Sequence, residues 1–178
     1  MKSLVLSQKL GDIYMVQVNC FWNRDKRYYK EASWHGNSLM DGGVLYTQFS
    51  HFLDLLLWFF GNITDIQTKM TNFNHSYLGD FVDSGILTFD FVKGGMGVFN
   101  FSTSVWQQNL ESSMTIIAEK GTIKVGGQYM DKVEVCHVEG LESSEIDSTV
   151  FRNNKIIKVS NHYRMLKDVV NMFYNFSV

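Results

Sequence analysis

One uninterrupted run, Asp41 to Gly61 (DGGVLYTQFSHFLDLLLWFFG), most limits what this chain can become. An aspartate at its start suits an N-cap and a glycine at its end suits the C′ position. The run therefore reads as one helix of about five turns. Almost every position is apolar, which predicts a buried helix and not an amphipathic surface one. Thr47, His51 and Asp54 depart from this pattern; at spacing i, i+4, i+7 they share one face. A buried polar group finds a partner or costs about 1–3 kcal/mol. Two readings stay open on the residues alone. His51 is hydrogen-bonded inside a core with Asp54 orienting it, or it belongs to a proton-transfer site opening onto a pocket.

A chain of 178 residues, 45% hydrophobic and 15% aromatic, can bury a sizeable single core. The longest apolar stretch, Leu55 to Phe60, is far too short to span a membrane. A net charge of −2 without a basic stripe argues against nucleic acid. Cys20 and Cys136 form no CxxC pair, and no secretory leader is read at Met1, so free thiols in a reducing, cytoplasmic compartment are expected.

Met1 to Leu10 is a short amphipathic piece. Asp12 to Phe21 is rich in β-branched and aromatic residues and predicts a strand. Between it and the helix lies a loop dense in rings and cations, including Trp22, Asn23, Arg24, Arg27, Tyr28, Tyr29, Trp34 and His35. Such a loop suits recognition of sugars or phosphates, and equally suits a packed linker with a solvated charged face. After Gly61 the period changes to two. Strands are predicted at Ile63–Asn72, Gly85–Val92, Gly97–Trp106, Ser112–Glu119, Thr122–Val125 and Lys132–Val138. Lys93 to Gly97 is a glycine-rich hairpin; it joins strand to strand and opens no helix, so it is no phosphate loop. A helix followed by antiparallel strands gives an α+β class, an open, mostly antiparallel sheet with helices on one face. In the third strand after the helix, Phe99, Phe101, Thr103 and Val105 should pack on it. Asn100, Ser102, Ser104 and Trp106 point the other way, polar but uncharged, and predict contact with a second sheet or a ligand. A polar, mobile loop is expected from Gly140 to Arg152, then a helix from Asn161 to Phe176 capped by Ser160.

The string from Trp34 to Gly61 resembles the C-terminal half of the Gfo/Idh/MocA oxidoreductases. Gly42-Gly43-Val44-Leu45 matches that family's helix start and His51 its histidine. Phe21 to Arg24 (FWNR), Thr47 to Phe52 (TQFSHF) and Asn109 to Met130 are most similar to the UDP-N-acetyl-2-amino-2-deoxyglucuronate dehydrogenases, which oxidise the sugar 3-hydroxyl with NAD. Two features depart from the family. The position four before the histidine, often Asp there, is Thr47. The Rossmann domain, with its G-x-G-x-x-G and its Glu-Lys-Pro segment, is absent from a chain that has no proline.

The resemblance implies a single substrate-binding and oligomerisation domain over residues 1–178, cut from a two-domain enzyme. His51 would be base or proton relay and Thr47 a hydrogen-bond partner to the sugar. Asn23, Arg24, Tyr29, Trp34 and His35 would line the sugar or nucleotide. NAD or NADP would be held mainly by the missing domain, leaving this chain alone inactive, and the open sheet face would pair subunits. The rival is a non-catalytic binding or assembly module using the same sheet. A metal site from His35, His51 and Asp54 is not expected, since HxxD spacing is common by chance.

Overall fold

The computed structural model describes residue 5, residues 7–29 and residues 34–141. The helix expected at Asn161–Phe176 and nearly all of the polar loop before it lie outside the described residues. Seven strands form one sheet: β1 (Ile13–Phe21), β2 (Ile63–Thr71), β3 (Ser84–Phe91), β4 (Met96–Ser102), β5 (Glu111–Ala118), β6 (Gly121–Gly126) and β7 (Lys132–Val138). Three short helices, α1 (Ser38–Asp41), α2 (Val44–Thr47) and α3 (Ser50–Phe60), connect β1 to β2, and a 3₁₀ turn (Ser76–Leu78) precedes β3.

The spatial order is β2-β3-β4-β1-β5-β6-β7. The first strand in sequence thus sits in the middle. It runs parallel to β4, with Val18 opposite Phe99, and antiparallel to β5, with Val18 opposite Met114. Every other pairing is antiparallel. Because β2, β3 and β4 alternate in direction, β2 runs the same way as β1, and a parallel partner demands a crossover. The helices are that crossover, so they lie on one face of the sheet.

That face is the core. Val16, Val18 and Cys20 of β1, Leu87, Phe89 and Phe91 of β3, Phe99 and Phe101 of β4, and Met114 and Ile116 of β5 are all buried. Phe49, Phe52, Leu56 and Phe60 close over them. Phe49 packs 5.6 Å from Phe101 and Phe60 5.3 Å from Phe91, centroid to centroid. Two glycines make room for the rings. A Cβ on Gly97 would meet the Phe89 ring at 2.2 Å, and one on Gly85 the Phe101 ring at 2.6 Å.

The long helix read over Asp41–Gly61 is two segments, α2 and α3, preceded by the last residue of α1. Gly42 and Gly43 take φ of 68° and 84°, a left-handed conformation that ends α1 and prevents a continuous start. Asp41 is not a helix cap but a buried clamp, accepting the amides of Gly36 and of Gly43 (2.7 Å). At Gln48 and Phe49 the ladder slips: both amides bond the carbonyl of Val44, and the helix restarts at Ser50. Thr47 donates its hydroxyl back to the Gly43 carbonyl, a bond that bends helices. Nor is α3 buried all round. Phe52, Leu56 and Phe60 face the sheet, whereas Ser50, Asp54 and Leu57 are exposed, because one sheet covers one side of a helix. Gly61 ends it as expected, its amide bonded to the Leu57 carbonyl.

The opposite face carries Gln17, Asn19, Asn100, Ser102 and Thr115, half-buried although no layer of the described residues covers them. They satisfy one another: Asn100 Nδ2 and Gln17 Nε2 donate to Asn19 Oδ1, and Asn19 Nδ2 donates to Ser113 Oγ. The regular strand stops at Ser102, short of the expected Trp106, which projects from a loop. No helix among the described residues is long and apolar enough to cross a membrane.

The ring-over-glycine packing has a measurable consequence. Gly97→Val should overpack the Phe89 site and lower stability by about 1–3 kcal/mol. Urea unfolding checks this, and an unchanged midpoint would show that the ring yields freely.

Candidate functional site

β1 ends at Phe21, and the segment that follows crosses the end of the sheet below α3. Trp22 is the hub. Its indole Nε1 donates to Ser112 Oγ at 2.9 Å, and that hydroxyl is oriented by donating to the Gln128 carbonyl. Its ring contacts Phe49 (5.0 Å), Phe52 (5.9 Å) and the imidazole of His51 (6.1 Å). On its far side lies the guanidinium of Arg24, 4.7 Å from the Trp22 centroid and 5.0 Å from that of Tyr28. Tyr28 meets His35 edge-on at 4.6 Å, and His35 stacks on Trp34 at 3.8 Å. Rings and one cation therefore run without a gap from His51 to Trp34, which is half exposed. Flat faces and a guanidinium are what a sugar or a phosphate binds to.

Of the residues expected here, His51, Arg24, His35 and Trp34 belong to this line. His51 is half-buried near the start of α3. Thr47 is half-buried one segment earlier; with its proton given to Gly43, its oxygen has only acceptor capacity for a ligand. Asn23 holds loops together: Nδ2 donates to the Val105 carbonyl (2.6 Å) and Oδ1 accepts from Arg27, leaving one N–H and one lone pair of its amide for other partners. Tyr29 lies in the core, 4% exposed, where Gln48 Nε2 donates to its hydroxyl. Burial pushes its phenol well up, so it is neither base nor wall. Burial also raises Tyr28, against the opposing pull of Arg24. Asp54 is exposed on α3. Among the described residues no three His, Cys, Asp or Glu side chains gather to hold a metal ion.

Arg24 is unusually constrained. Nη1 donates to the Asn23 carbonyl (2.7 Å) and to Asn109 Oδ1 (3.1 Å), which also accepts the Asn23 amide. Its Nε is buried and has no hydrogen-bond partner among the described residues. Asn109 was not singled out from the sequence for this role, nor were His75 and Asp83. His75 (1% exposed) and Asp83 (0%) face each other with Nδ1 2.9 Å from Oδ2, and His75 Nε2 reaches the Arg24 carbonyl. Asp83 also accepts the amides of Phe73 and Asn74 and the hydroxyl of Ser84. Burial pushes the Asp83 carboxyl up, but those hydrogen bonds, from the Asn74 amide and His75 foremost, outweigh it and hold it below the usual carboxylate range. A lone histidine in a polar turn, Asn-His-Ser, offers no sequence signal for any of this.

The sign of that shift sets an acid limb. Asp83's contribution is complete above the unfolded value near pH 3.9 and is lost as pH falls through the lower folded value. Asp83→Asn weakens the acceptor that two backbone amides, the Ser84 hydroxyl and the His75 ring face, and should cost about 1–3 kcal/mol at pH 7. The same variant should flatten the stability loss below about pH 4, since the titrating group is gone. Urea midpoints at several pH values measure both, and a loss under 1 kcal/mol would contradict the pairing.

Residues 1–124 match the family described as the GFO/IDH/MocA C-terminal domain. Among solved structures, the WlbA dehydrogenase from Bordetella pertussis, in complex with NADH and UDP-GlcNAcA, is 33% identical over 79% of this chain and 43% of its own, with a TM-score of 0.73. The WlbA dehydrogenase from Chromobacterium violaceum, with the same two ligands, is 30% identical over 84% of this chain and 43% of its own, with a TM-score of 0.74. An inositol dehydrogenase homolog from Azotobacter vinelandii, complexed with NAD+, shares the fold at 15% identity, covering 79% and 38%, with a TM-score of 0.66. No curated protein matches the sequence. The chain thus spans less than half the length of the solved relatives it matches.

Proposed function

The chain belongs to the GFO/IDH/MocA oxidoreductases, matching their C-terminal domain, and from that premise we propose that it is the substrate-binding and self-pairing half of an NAD- or NADP-dependent sugar dehydrogenase. The reaction is oxidation of a secondary hydroxyl, the 3-hydroxyl of a UDP-N-acetylamino sugar uronate. One observation carries the reading: 33% identity across 79% of the chain to an enzyme solved with NADH and UDP-GlcNAcA. The line of rings and guanidinium from His51 to Trp34 supports it, since it offers stacking faces and an anion partner beside a titratable imidazole.

Oxidising a secondary alcohol removes a hydride from carbon and a proton from oxygen. A nicotinamide, when bound, accepts the hydride. This chain's residues do the rest. His51, the imidazole beside Trp22 at the start of α3, takes the hydroxyl proton. Thr47 Oγ1 accepts a hydrogen bond from a sugar hydroxyl, its own proton being held by Gly43. Arg24 and Trp34 hold the anionic and planar parts of the substrate. The described residues give no cradle for a dinucleotide: Gly94 and Gly95 form a turn between two strands, without the helix N-terminus that a pyrophosphate uses. The cofactor is therefore assigned to a separate domain.

The sheet face away from the helices is assigned to pairing. Its centre is neutral and self-satisfied, and Ile86, Met96 and Ile117 stand exposed around it. Neutral polar groups already bonded to one another can be covered at little desolvation cost, and two such faces pack about 10 Å apart. A two-fold partner covers both copies with one surface.

Two measurements test this. In the full-length enzyme given UDP-GlcNAcA and NAD, His51→Asn should lower kcat by about 10²–10⁴-fold with the fold intact. Unfolding without a specific kinetic defect would make the histidine structural. In solution, light scattering at micromolar concentration should give a dimer or larger, and Asn100→Lys with Ser102→Lys should shift it toward monomer. A wild-type monomer would return the face to solvent.

A further inference from the structure

His75 is buried, and both of its ring nitrogens meet groups able only to accept. Nδ1 lies 2.9 Å from the Asp83 carboxylate, and Nε2 meets the Arg24 carbonyl oxygen. A carbonyl has no proton to give. Asp83 is held ionised by two backbone amides and the Ser84 hydroxyl, so it has none either. Both protons must come from the imidazole. With both bonds made, His75 is an imidazolium.

The contact closes a circuit. The Arg24 amide donates to the Thr103 carbonyl (2.9 Å), and the Thr103 amide donates to the Asp83 carbonyl (2.8 Å). Arg24 is thus gripped at both its N–H and its C=O, from β4's extension and from the turn before β3. Its side chain starts from that grip and reaches the Trp22 and Tyr28 rings. We propose that His75, doubly protonated and paired with Asp83, is a positioning residue that fixes the Arg24 segment as part of the substrate site; the substrate part of this rests on the function proposed above. Losing one proton from His75 necessarily breaks one of its two bonds. The site's shape is then coupled to protonation at a residue that touches no substrate.

The surroundings are limited. Tyr29 and Phe81 cover the ring at 5.1 and 5.8 Å, and Tyr77 of the 3₁₀ turn lies at 5.9 Å. Lys26 sits over the Tyr77 ring, and Asp25 pairs with Arg27 at the surface. The charged groups on this side of His75 are Asp83 in contact and, farther out across Tyr77, Lys26 and Asp25, which both act on the Tyr77 ring. Tyr77, raised chiefly by burial, stays neutral near pH 7.

The test of protonation uses the unaltered chain. On this chain, two-dimensional proton–nitrogen spectra of the histidine rings, with His75 identified through cross-peaks to Tyr29 and Phe81, should show imidazolium shifts at both nitrogens at pH 7. Raising the pH until that ring deprotonates should speed exchange of the Arg24 amide by about 10²-fold beyond its intrinsic base-catalysed rise, while the Val18 amide follows the intrinsic rise alone. A neutral ring at pH 7, or a deprotonated ring with the Arg24 amide still protected, overturns the proposal. In the full-length enzyme, His75→Gln keeps one donor and should raise KM for UDP-GlcNAcA by about tenfold with kcat within threefold. Unchanged KM with a folded variant refutes the role in the site. Absence of any turnover in the wild type would instead refute the substrate assignment, with the ring spectra still deciding the protonation.

Discussion

The structure depends on β1 being hydrogen-bonded along both edges. A strand in the middle of a sheet pairs all of its backbone donors and acceptors, at a cost of about 1–3 kcal/mol for each one left buried and unpaired. β4 and β5 supply those partners. The parallel pairing with β4 forces a crossover, and the crossover delivers α3 onto one face. Where β1 runs out, Phe21 passes directly into Trp22 and Arg24 beneath the start of α3. The candidate site is a consequence of that geometry, placed where the central strand ends.

The two faces of the sheet solve different problems. One excludes water with rings, and the close approach of Phe89 to Gly97 and Phe101 to Gly85 shows how tightly they are set. The other is polar yet poor in charge. Lysine and glutamate sit mainly at the β5–β6–β7 end, as in the Lys124–Glu134 pair, and the centre is amide and hydroxyl. Polar groups that bond sideways to one another leave fewer unsatisfied atoms when something flat covers them. Charge would have made covering expensive.

Loops at the end of the sheet are held by side-chain to backbone bonds. Asn109 collects the Asn23 amide and Arg24, Asp41 collects two glycine amides, and Asp83 collects two amides, a hydroxyl and an imidazole. Each is an acceptor facing several donors, which suits loops that lack a ladder of their own. Asp83 does so with a carboxylate in the interior, which those donors hold below the usual carboxylate range against the pull of burial.

Much of the fold was legible in the residues. β-branched and aromatic enrichment located the first strand, and alternation located the six after Gly61, Lys132–Val138 to the residue, because burial of one face writes period two into a strand. Gly61 marked the helix end, and the all-apolar face Phe99, Phe101 marked the core. Local chemistry also drew attention to the Trp22–His35 loop and to His51. What the residues could not say was who neighbours whom. Backbone hydrogen bonds are the same for every residue, so nothing in Ile13–Phe21 tells that it lies between β4 and β5. The break at Gln48–Phe49 was equally hidden, since it answers to the sheet beneath Phe49 and not to a glycine or proline in the run. Tyr29 looked like part of a binding loop and lies in the core, while His75, which the sequence did not single out, meets the Arg24 carbonyl from 51 positions away. Sequence determined which side chains are apolar, where α3 stops and which face of the central strands β1, β3 and β4 is dry. Tertiary structure alone decided pairing, burial of polar groups and the meeting of distant residues, because those depend on contacts whose partners share no local pattern.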